Sequence, residues 1–371
     1  MPTRTLQVEL GKELAKALAP AVKALREGRL VAFPTETVYG IGAVATDASA
    51  FERLREVKGR PEHPFTLHIG RPEDAARYIR DIPPAARQLM AKGWPGPITL
   101  LLPTGGHFAH EDLADKALYK RICPAGILGL RCPDHPAAQE LLSRVRQPVV
   151  ASSANRAGRT PPANAQGVLE QLEGAVDLLI DAGPTRYHKA STIVSFEHGR
   201  CEIVREGVYD ERMIRSMAMR RILFVCTGNT CRSPLATAIS AKLLAGKLRC
   251  KEQELSKHGV ELLSAGSLGV EGLPAATDAI KVARKMGLSL AHHRSRKLTN
   301  ELIRSADLIF CMSGHHVREV TRMSPGAAGR TFLLDADGDI ADPIGGGEDA
   351  YQDVAGRLQT CLRNRMKEIL P

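Results

Sequence analysis

The chain has 371 residues, 43% of them apolar and 25% charged, with eight cysteines and a net charge of +10. That length exceeds what one core commonly serves, about 250–300 residues, so two domains are expected. No apolar run nears the ~18–20 residues that cross a membrane, MPTRTLQVEL lacks the apolar core of a secretion signal, and eight scattered cysteines without a C-x-x-C pair exclude a disulfide framework and a zinc site, so a soluble, cytoplasmic protein with no membrane partner is expected.

Taken from the N-terminus, Phe51, Leu54 and Val57 recur at helical spacing after Asp47, and Gly59-Arg60-Pro61 ends that helix. In FTLHI (residues 65–69), Phe65, Leu67 and Ile69 alternate with Thr66 and His68, which predicts a strand with His68 on its less apolar face. ITLLLP, GILGLR, PVVAS, DLLID, STIVSF and CEIVRE continue the extended series, with helices such as HPAAQELLSRV between several of them. The pattern predicts an α/β domain over residues 1–208 with a twisted, mixed sheet. Residues 209–219 carry charges and methionines with little pattern and are expected to form a linker. Residues 220–371 then run strand RILFVC, helix PLATAISAKLLAGKL, strand VELLSAG, helix PAATDAIKVARKMG, strands DLIFCM and TFLLD, and a last helix from about Ala350. This alternation predicts a doubly wound parallel sheet. Positive charge is spread over both halves, with 27 basic and 23 acidic residues up to Tyr209 and 24 and 18 after it, so no basic arm marks a nucleic-acid ligand.

CTGNTCRS (residues 226–233) lies between the apolar run ILFV and a helix expected to open at Pro234. Cys226 therefore stands at the carboxyl end of a parallel strand, facing a helix N-terminus whose free N–H groups and dipole favour anions. The loop of Thr227, Gly228, Asn229, Thr230 and Cys231 is long enough for its amides to curl around a phosphate while Arg232 grips two of its oxygens. The same field is expected to lower the Cys226 pKa and supply a thiolate nucleophile, with Ser233 donating a hydrogen bond to it. Asp342, before Pro343 in IADPIGGGED, is the candidate acid for the leaving group and then the base for water attacking a phosphocysteine. A lone cysteine is ordinarily a small buried hydrophobe and Asp-Pro ordinarily a turn; their company with Arg232 and Ser233 is what raises them. Cys231 is near enough to Cys226 for a reversible disulfide under oxidation.

With SAG (264–266), HRSRKLT (293–299) and ADLIFCM (306–312), these motifs make residues 221–371 resemble the low-molecular-weight protein tyrosine phosphatase family. The resemblance implies a cysteine-dependent phosphatase that needs no cofactor and takes phosphorylated proteins as partners. Thr230 matches the branch resembling protein arginine phosphatases, where tyrosine-directed members carry a bulkier aliphatic residue. Ile344-Gly345 also follow Asp-Pro where tyrosine-directed members carry an aromatic pair. Phosphoarginine is thus the expected substrate and phosphotyrosine the alternative.

Four clusters stand out earlier: PTETVYGIG (34–42), KGRP (58–61), ASSAN (151–155) and STIV (191–194). Each alone has an ordinary explanation as a helix end, cap, turn or polar strand position. Together with WPGPITLLLP (94–103), GLRCPDHP (129–136) and VREG (204–207), they resemble the YrdC/Sua5 family, the threonylcarbamoyl-AMP synthases, over nearly all of residues 10–208. The resemblance implies an enzyme that joins L-threonine, bicarbonate and ATP, the last as substrate, into threonylcarbamoyl-AMP. Pyrophosphate is released, and the product serves modification of tRNA adenosine 37. Mg²⁺ bridging the phosphates and tRNA or tRNA-modification proteins as partners are implied with it. Carried over residue by residue, Lys58, Arg60 and Arg205 suit a polyphosphate, and Ser153 and Asn155 phosphate or ribose. Arg131 suits the threonine carboxylate, with Thr35, His68 and Ser191 completing that pocket. A second reading makes this domain a non-catalytic module that binds RNA on a concave basic face.

Overall fold

The computed structural model describes residues 2–59, 64–109, 115–123, 125–197 and 200–370. The chain divides into two compact units, Met1–Ala218 and Met219–Pro371.

Among the described residues of the first unit the seven extended runs become β4 (Thr66–His68), β5 (Ile98–Pro103), β6 (Ile127–Arg131), β7 (Val149–Ser153), β8 (Leu178–Asp181), β9 (Thr192–Ser195) and β10 (Glu202–Arg205), and β1 (Arg4–Gln7), β2 (Val31–Phe33) and β3 (Gly40–Val44), not expected from the sequence, join them in one sheet. Their order is β1-β8-β2-β3-β7-β4-β6-β5-β9-β10. Parallel and antiparallel neighbours mix across the middle: β7 runs against both β3 and β4, and β4 runs with β6. The two-residue period of a strand puts alternate side chains in two cores. Leu30, Ala32 and Val150 enter one core with Phe51, Leu67 and Leu130, while Val31, Phe33, Val149 and Ala151 enter the other with Leu25 and Leu141. The helix Ala48–Lys58 is capped by Asp47, whose carboxylate accepts from Ala50 N (3.0 Å), and stops at Gly59, which takes the left-handed conformation at φ 55°. It buries Phe51 and Leu54 and ends on Lys58, itself buried.

The segment expected as a linker, 209–219, contains a helix instead. Glu211–Ala218 buries Ile214 and Ala218, Met217 packs against the same core, and Asp210 caps it by accepting from Met213 N (2.8 Å). Ile214, Met217 and Ala218 follow the i, i+3, i+4 rule, but two turns are too short for the period to stand out among charges. The first unit therefore runs through Ala218.

The second unit has four parallel strands, β11 (Arg220–Cys226), β12 (Val260–Gly266), β13 (Leu308–Cys311) and β14 (Thr331–Leu333), in the order β12-β11-β13-β14. Helices Arg232–Leu248, Thr277–Lys285 and Gly347–Asn364 cover one face over Phe224, Leu235, Val282 and Leu358. Asn300–Ser305 and Gly314–Met323 cover the other over Val225, Ile303, Ile309 and Val320. The first of these helices opens at Arg232, two residues before the expected Pro234. Among the described residues no helix is long and apolar enough to cross a membrane.

Candidate active sites

In the first unit the functional side chains sit where elements end. Helix Ala48–Lys58 delivers Lys58, β4 delivers His68, β6 delivers Arg131, β7 delivers Ser153, β10 delivers Arg205, and Thr35 and Ser191 lie just outside β2 and β9. All seven line one cavity of about 300 Å³. Arg60 lies outside the described residues. Asn155 does not line the cavity. Its Nδ2 donates to the carbonyls of Arg156 (2.8 Å) and Arg159 (2.7 Å), and its Oδ1 accepts from Lys58 Nζ (3.2 Å) and from Ser153 Oγ. All four of its side-chain bonding positions are used inside the fold, where Asn155 holds Lys58 and Ser153. Lys58 Nζ is also seated on the carbonyls of Ser153 and Asn155, both at 2.6 Å.

His68 Nδ1 stands 3.0 Å from the Thr66 carbonyl, which can only accept, so Nδ1 carries the proton and Nε2 is an acceptor. Burial, and next the charge of Arg131, push its pKa down to about 3, so the ring is neutral near pH 7. The strand position expected to be polar and less apolar-facing is 9% exposed. Arg131 is 6% exposed and donates through Nη2 to Glu36 Oε1 (2.9 Å) and to the hydroxyls of Thr37 (2.6 Å) and Thr35 (3.4 Å). The second oxygen of Glu36 accepts from Asp134 N (3.0 Å). Arg131 Nε is buried with no acceptor among the described residues. Arg205 donates to the Ser191 carbonyl (2.7 Å), and burial, followed by repulsion from Arg131, lowers its pKa. Ser191 Oγ pairs with Thr99 Oγ1 (3.0 Å). At Gly207 an added Cβ would stand 2.3 Å from Ala190 O and from Ser191 C, so only glycine lets this segment pass behind Ser191. The cavity thus offers two cations, a charge-compensated arginine and a neutral imidazole acceptor, a donor set that suits an anion beside an amino-acid zwitterion.

In the second unit Cys226 ends β11 at 2% exposure. Asn229, at φ 57°, turns its amide onto Cys226 Sγ (3.2 Å), a left-handed conformation that asparagine tolerates. Arg296 N donates to Asn229 Oδ1 (2.8 Å), which fixes the amide, so Nδ2 donates to Ser233 Oγ (2.9 Å) and the Ser233 proton is left for Cys226 Sγ at 2.9 Å. His293 Nε2 donates to Asn229 O (2.7 Å) and closes the loop from outside. Gly266 lets β12 approach: a Cβ there would stand 2.6 Å from Thr227 O and 2.9 Å from Asn229 N. Arg232, 5% exposed, donates to Ile340 O (3.0 Å), to Thr227 Oγ1 (3.2 Å) and to the Asp342 carboxylate. Cys231 Sγ meets the phenol of Tyr351 (3.1 Å), and Thr230 is half-buried with Oγ1 3.5 Å from that sulfur.

The expected fall in the Cys226 pKa is corrected by this geometry. Burial pushes the thiol up; Ser233, then Asn229, then Arg232 pull it back down without overcoming it. Arg232, whose charge meets Asp342 in an ion pair, lowers it least. Sequence reasoning also missed Glu36, Thr37, Thr99, His293, His316 and Tyr351. Glu36 had one visible mark, an acid between two threonines in a stretch that is otherwise apolar.

A family model described as "Telomere recombination", for Sua5, YciO and YrdC, matches residues 23–207, and one described as "Low molecular weight phosphotyrosine protein phosphatase" matches residues 221–370. The low molecular weight protein-tyrosine-phosphatase Etp of Escherichia coli (strain K12) is 36% identical over 151 residues, 40% of this chain and 93% of that protein. The threonylcarbamoyl-AMP synthase of Pyrococcus abyssi (strain GE5 / Orsay) is 37% identical over 186 residues, 49% of this chain.

The threonylcarbamoyl-AMP synthase of Chromohalobacter salexigens is 35% identical over 189 residues, 51% of this chain and 97% of that protein. The chain belongs to both families.

Its YrdC/Sua5 part and its phosphatase part follow one another without overlap. The chain spans about half, 52%, of the P. abyssi synthase. A crystal structure of P. abyssi Sua5 complexed with L-threonine superposes with a TM-score of 0.53 at 24% identity, over 71% of this chain and 92% of that one, and shares its fold.

Proposed function

We propose that the chain is bifunctional: a threonylcarbamoyl-AMP synthase followed by a cysteine-dependent phosphatase for phosphoarginine. The observation that carries the first half is the convergence of Thr35, Lys58, His68, Arg131, Ser153, Ser191 and Arg205 on one cavity. The crystallised P. abyssi relative was complexed with L-threonine, and this cavity has the donors for the same zwitterion. Arg131 faces the carboxylate, His68 Nε2 accepts from the ammonium or hydroxyl, and Lys58 and Arg205 face the phosphates of ATP. Catalysis here is positioning and charge neutralisation. Among the described residues no cluster of three or more His, Cys, Asp or Glu could hold a metal, so Mg²⁺ would enter with the ATP phosphates, where it neutralises their charge. The test is pyrophosphate release that requires both L-threonine and bicarbonate; release without either, or tight tRNA binding with no release, refutes the synthase.

The second half rests on Cys226 Sγ lying under Asn229 N, Ser233 Oγ and the guanidinium of Arg232. A phosphoryl group seated on Arg232 takes its oxygens to the donors that Asp342 now uses, which frees the carboxyl of Asp342 to protonate the departing nitrogen or oxygen. The Cys226 proton passes to the freed Asp342 carboxylate and on to the leaving group as the sulfur forms the bond to phosphorus; water then gives a proton to Asp342, releases phosphate and leaves the sulfur as thiolate, which regains that proton. Thr230, small and half-buried at the loop, favours phosphoarginine. Hydrolysis of phosphoarginine and phosphotyrosine at matched concentration tests this, and preference for phosphotyrosine refutes it.

A further inference from the structure

Resting on the phosphatase reading of Cys226, we propose that His316 is a positioning residue that sets the Arg232 guanidinium for phosphate through the hydroxyl of Thr227. His316 lies in helix Gly314–Met323, is 2% exposed, and lies outside every motif of the phosphatase unit. Its Nε2 is 3.0 Å from Thr227 Oγ1, its Nδ1 is 2.8 Å from Ser313 Oγ, and Thr227 Oγ1 is 3.2 Å from Arg232 Nη2. Hydroxyl partners at both ring nitrogens admit either tautomer, and we assign the one in which Thr227 donates. Arg232 can only donate, so the Thr227 oxygen accepts from it, and the single Thr227 proton goes to His316 Nε2. Nε2 is therefore bare, and Nδ1 carries the ring proton and donates to Ser313, the residue that caps the helix. The chain of donors runs from Arg232 through Thr227 and His316 to a helix N-terminus, a rigid anchor.

That arrangement requires an unprotonated ring. Arg232 and His315 face His316 as cationic or ionisable neighbours, Asp339 and Asp342 as anions, and burial outweighs them, lowering its pKa to about 4. Asp339 is itself held by Gly314 N (2.8 Å). Protonation would turn Nε2 into a second donor at the Thr227 oxygen, strand the Thr227 proton, and place a second cation beside Arg232. The phosphate site is thus expected to loosen on the acid side through His316.

The test uses the full chain and reads inorganic phosphate binding by titration calorimetry, while turnover of p-nitrophenyl phosphate tests the phosphatase reading separately. His316→Phe and Thr227→Val are each expected to weaken phosphate about ten-fold, the scale of one hydrogen bond to a charged group. The double variant should be no weaker than the poorer single variant. His316→Gln, which keeps an acceptor, should recover most of the affinity and lose the decline in phosphate binding between neutral pH and about pH 4. Effects that multiply in the double variant overturn the proposal, as does unchanged phosphate affinity in a folded His316→Phe. If His316→Phe does not fold, Thr227→Val decides alone: loss of the acid decline supports the relay, and its retention overturns it. Absent turnover with intact phosphate binding would overturn the phosphatase reading and not the positioning by His316.

Discussion

Removing Glu36 tests whether the arginine of the threonine pocket depends on a buried counter-ion. The Arg131 and Glu36 side chains are 8% and 1% exposed and meet at 2.9 Å. Glu36→Ala leaves the guanidinium buried without its anion and leaves Asp134 N–H without the acceptor it has at 3.0 Å. Breaking a buried pair from one side costs about 3–5 kcal/mol. For a unit of this size, about 4 kcal/mol corresponds to a fall in Tm of roughly 8–16 °C. Calorimetric unfolding of the full chain should show that fall in the transition of the first unit, with the phosphatase unit's transition unmoved. Glu36→Leu combined with Arg131→Met removes both charges and should regain most of the stability, because two apolar groups need no compensation. The same double variant should still fail to bind threonine, which separates folding from function. A fall of less than about 3 °C in Glu36→Ala, or a double variant no more stable than the singles, would refute the reasoning.

Other expectations follow from the same geometry. His68 has a folded pKa near 3 against an ordinary value of 6.5, so its contribution to stability is present above about pH 6.5 and is lost as pH falls toward 3; His68→Gln should flatten that dependence in urea titrations. A slope unchanged by the substitution would contradict the neutral ring. Asp342→Ala should strip the compensating anion from Arg232, draw the Cys226 thiol down and speed its alkylation near pH 7; slower alkylation would show that Asp342 does not offset the guanidinium. The same variant should slow a poor leaving group far more than p-nitrophenyl phosphate, and equal slowing would remove Asp342 as the acid. Thr230→Ile should cut the ratio of phosphoarginine to phosphotyrosine turnover by at least about ten-fold.

Much of the fold is written in local patterns. The alternation of Phe65, Leu67 and Ile69 puts all three in one core, and the strand VELLSAG coincides with Val260–Gly266, because both depend only on period and composition. What escaped is what depends on three-dimensional pairing. Glu36 meets Arg131 across 95 residues and His316 meets Thr227 across 89, and no spacing rule connects such pairs. The motif places Asn155 at the nucleotide, and only the folded chain reveals the neighbours that its four side-chain bonding positions meet. The motif shows the loop's dipoles, which lower the Cys226 thiol, while the burial that outweighs them is not visible in it. Helix Glu211–Ala218 is the local exception: two turns rich in charge hide a period that the core nonetheless uses.

The claim of two independent chemistries on one polypeptide is tested most directly by Cys226→Ser in the full chain, assayed side by side for threonine- and bicarbonate-dependent pyrophosphate release and for phosphoarginine hydrolysis. The first activity should equal that of the unaltered protein while the second disappears with inorganic phosphate still bound. Loss of both together, or phosphoarginine hydrolysis that survives, would contradict it.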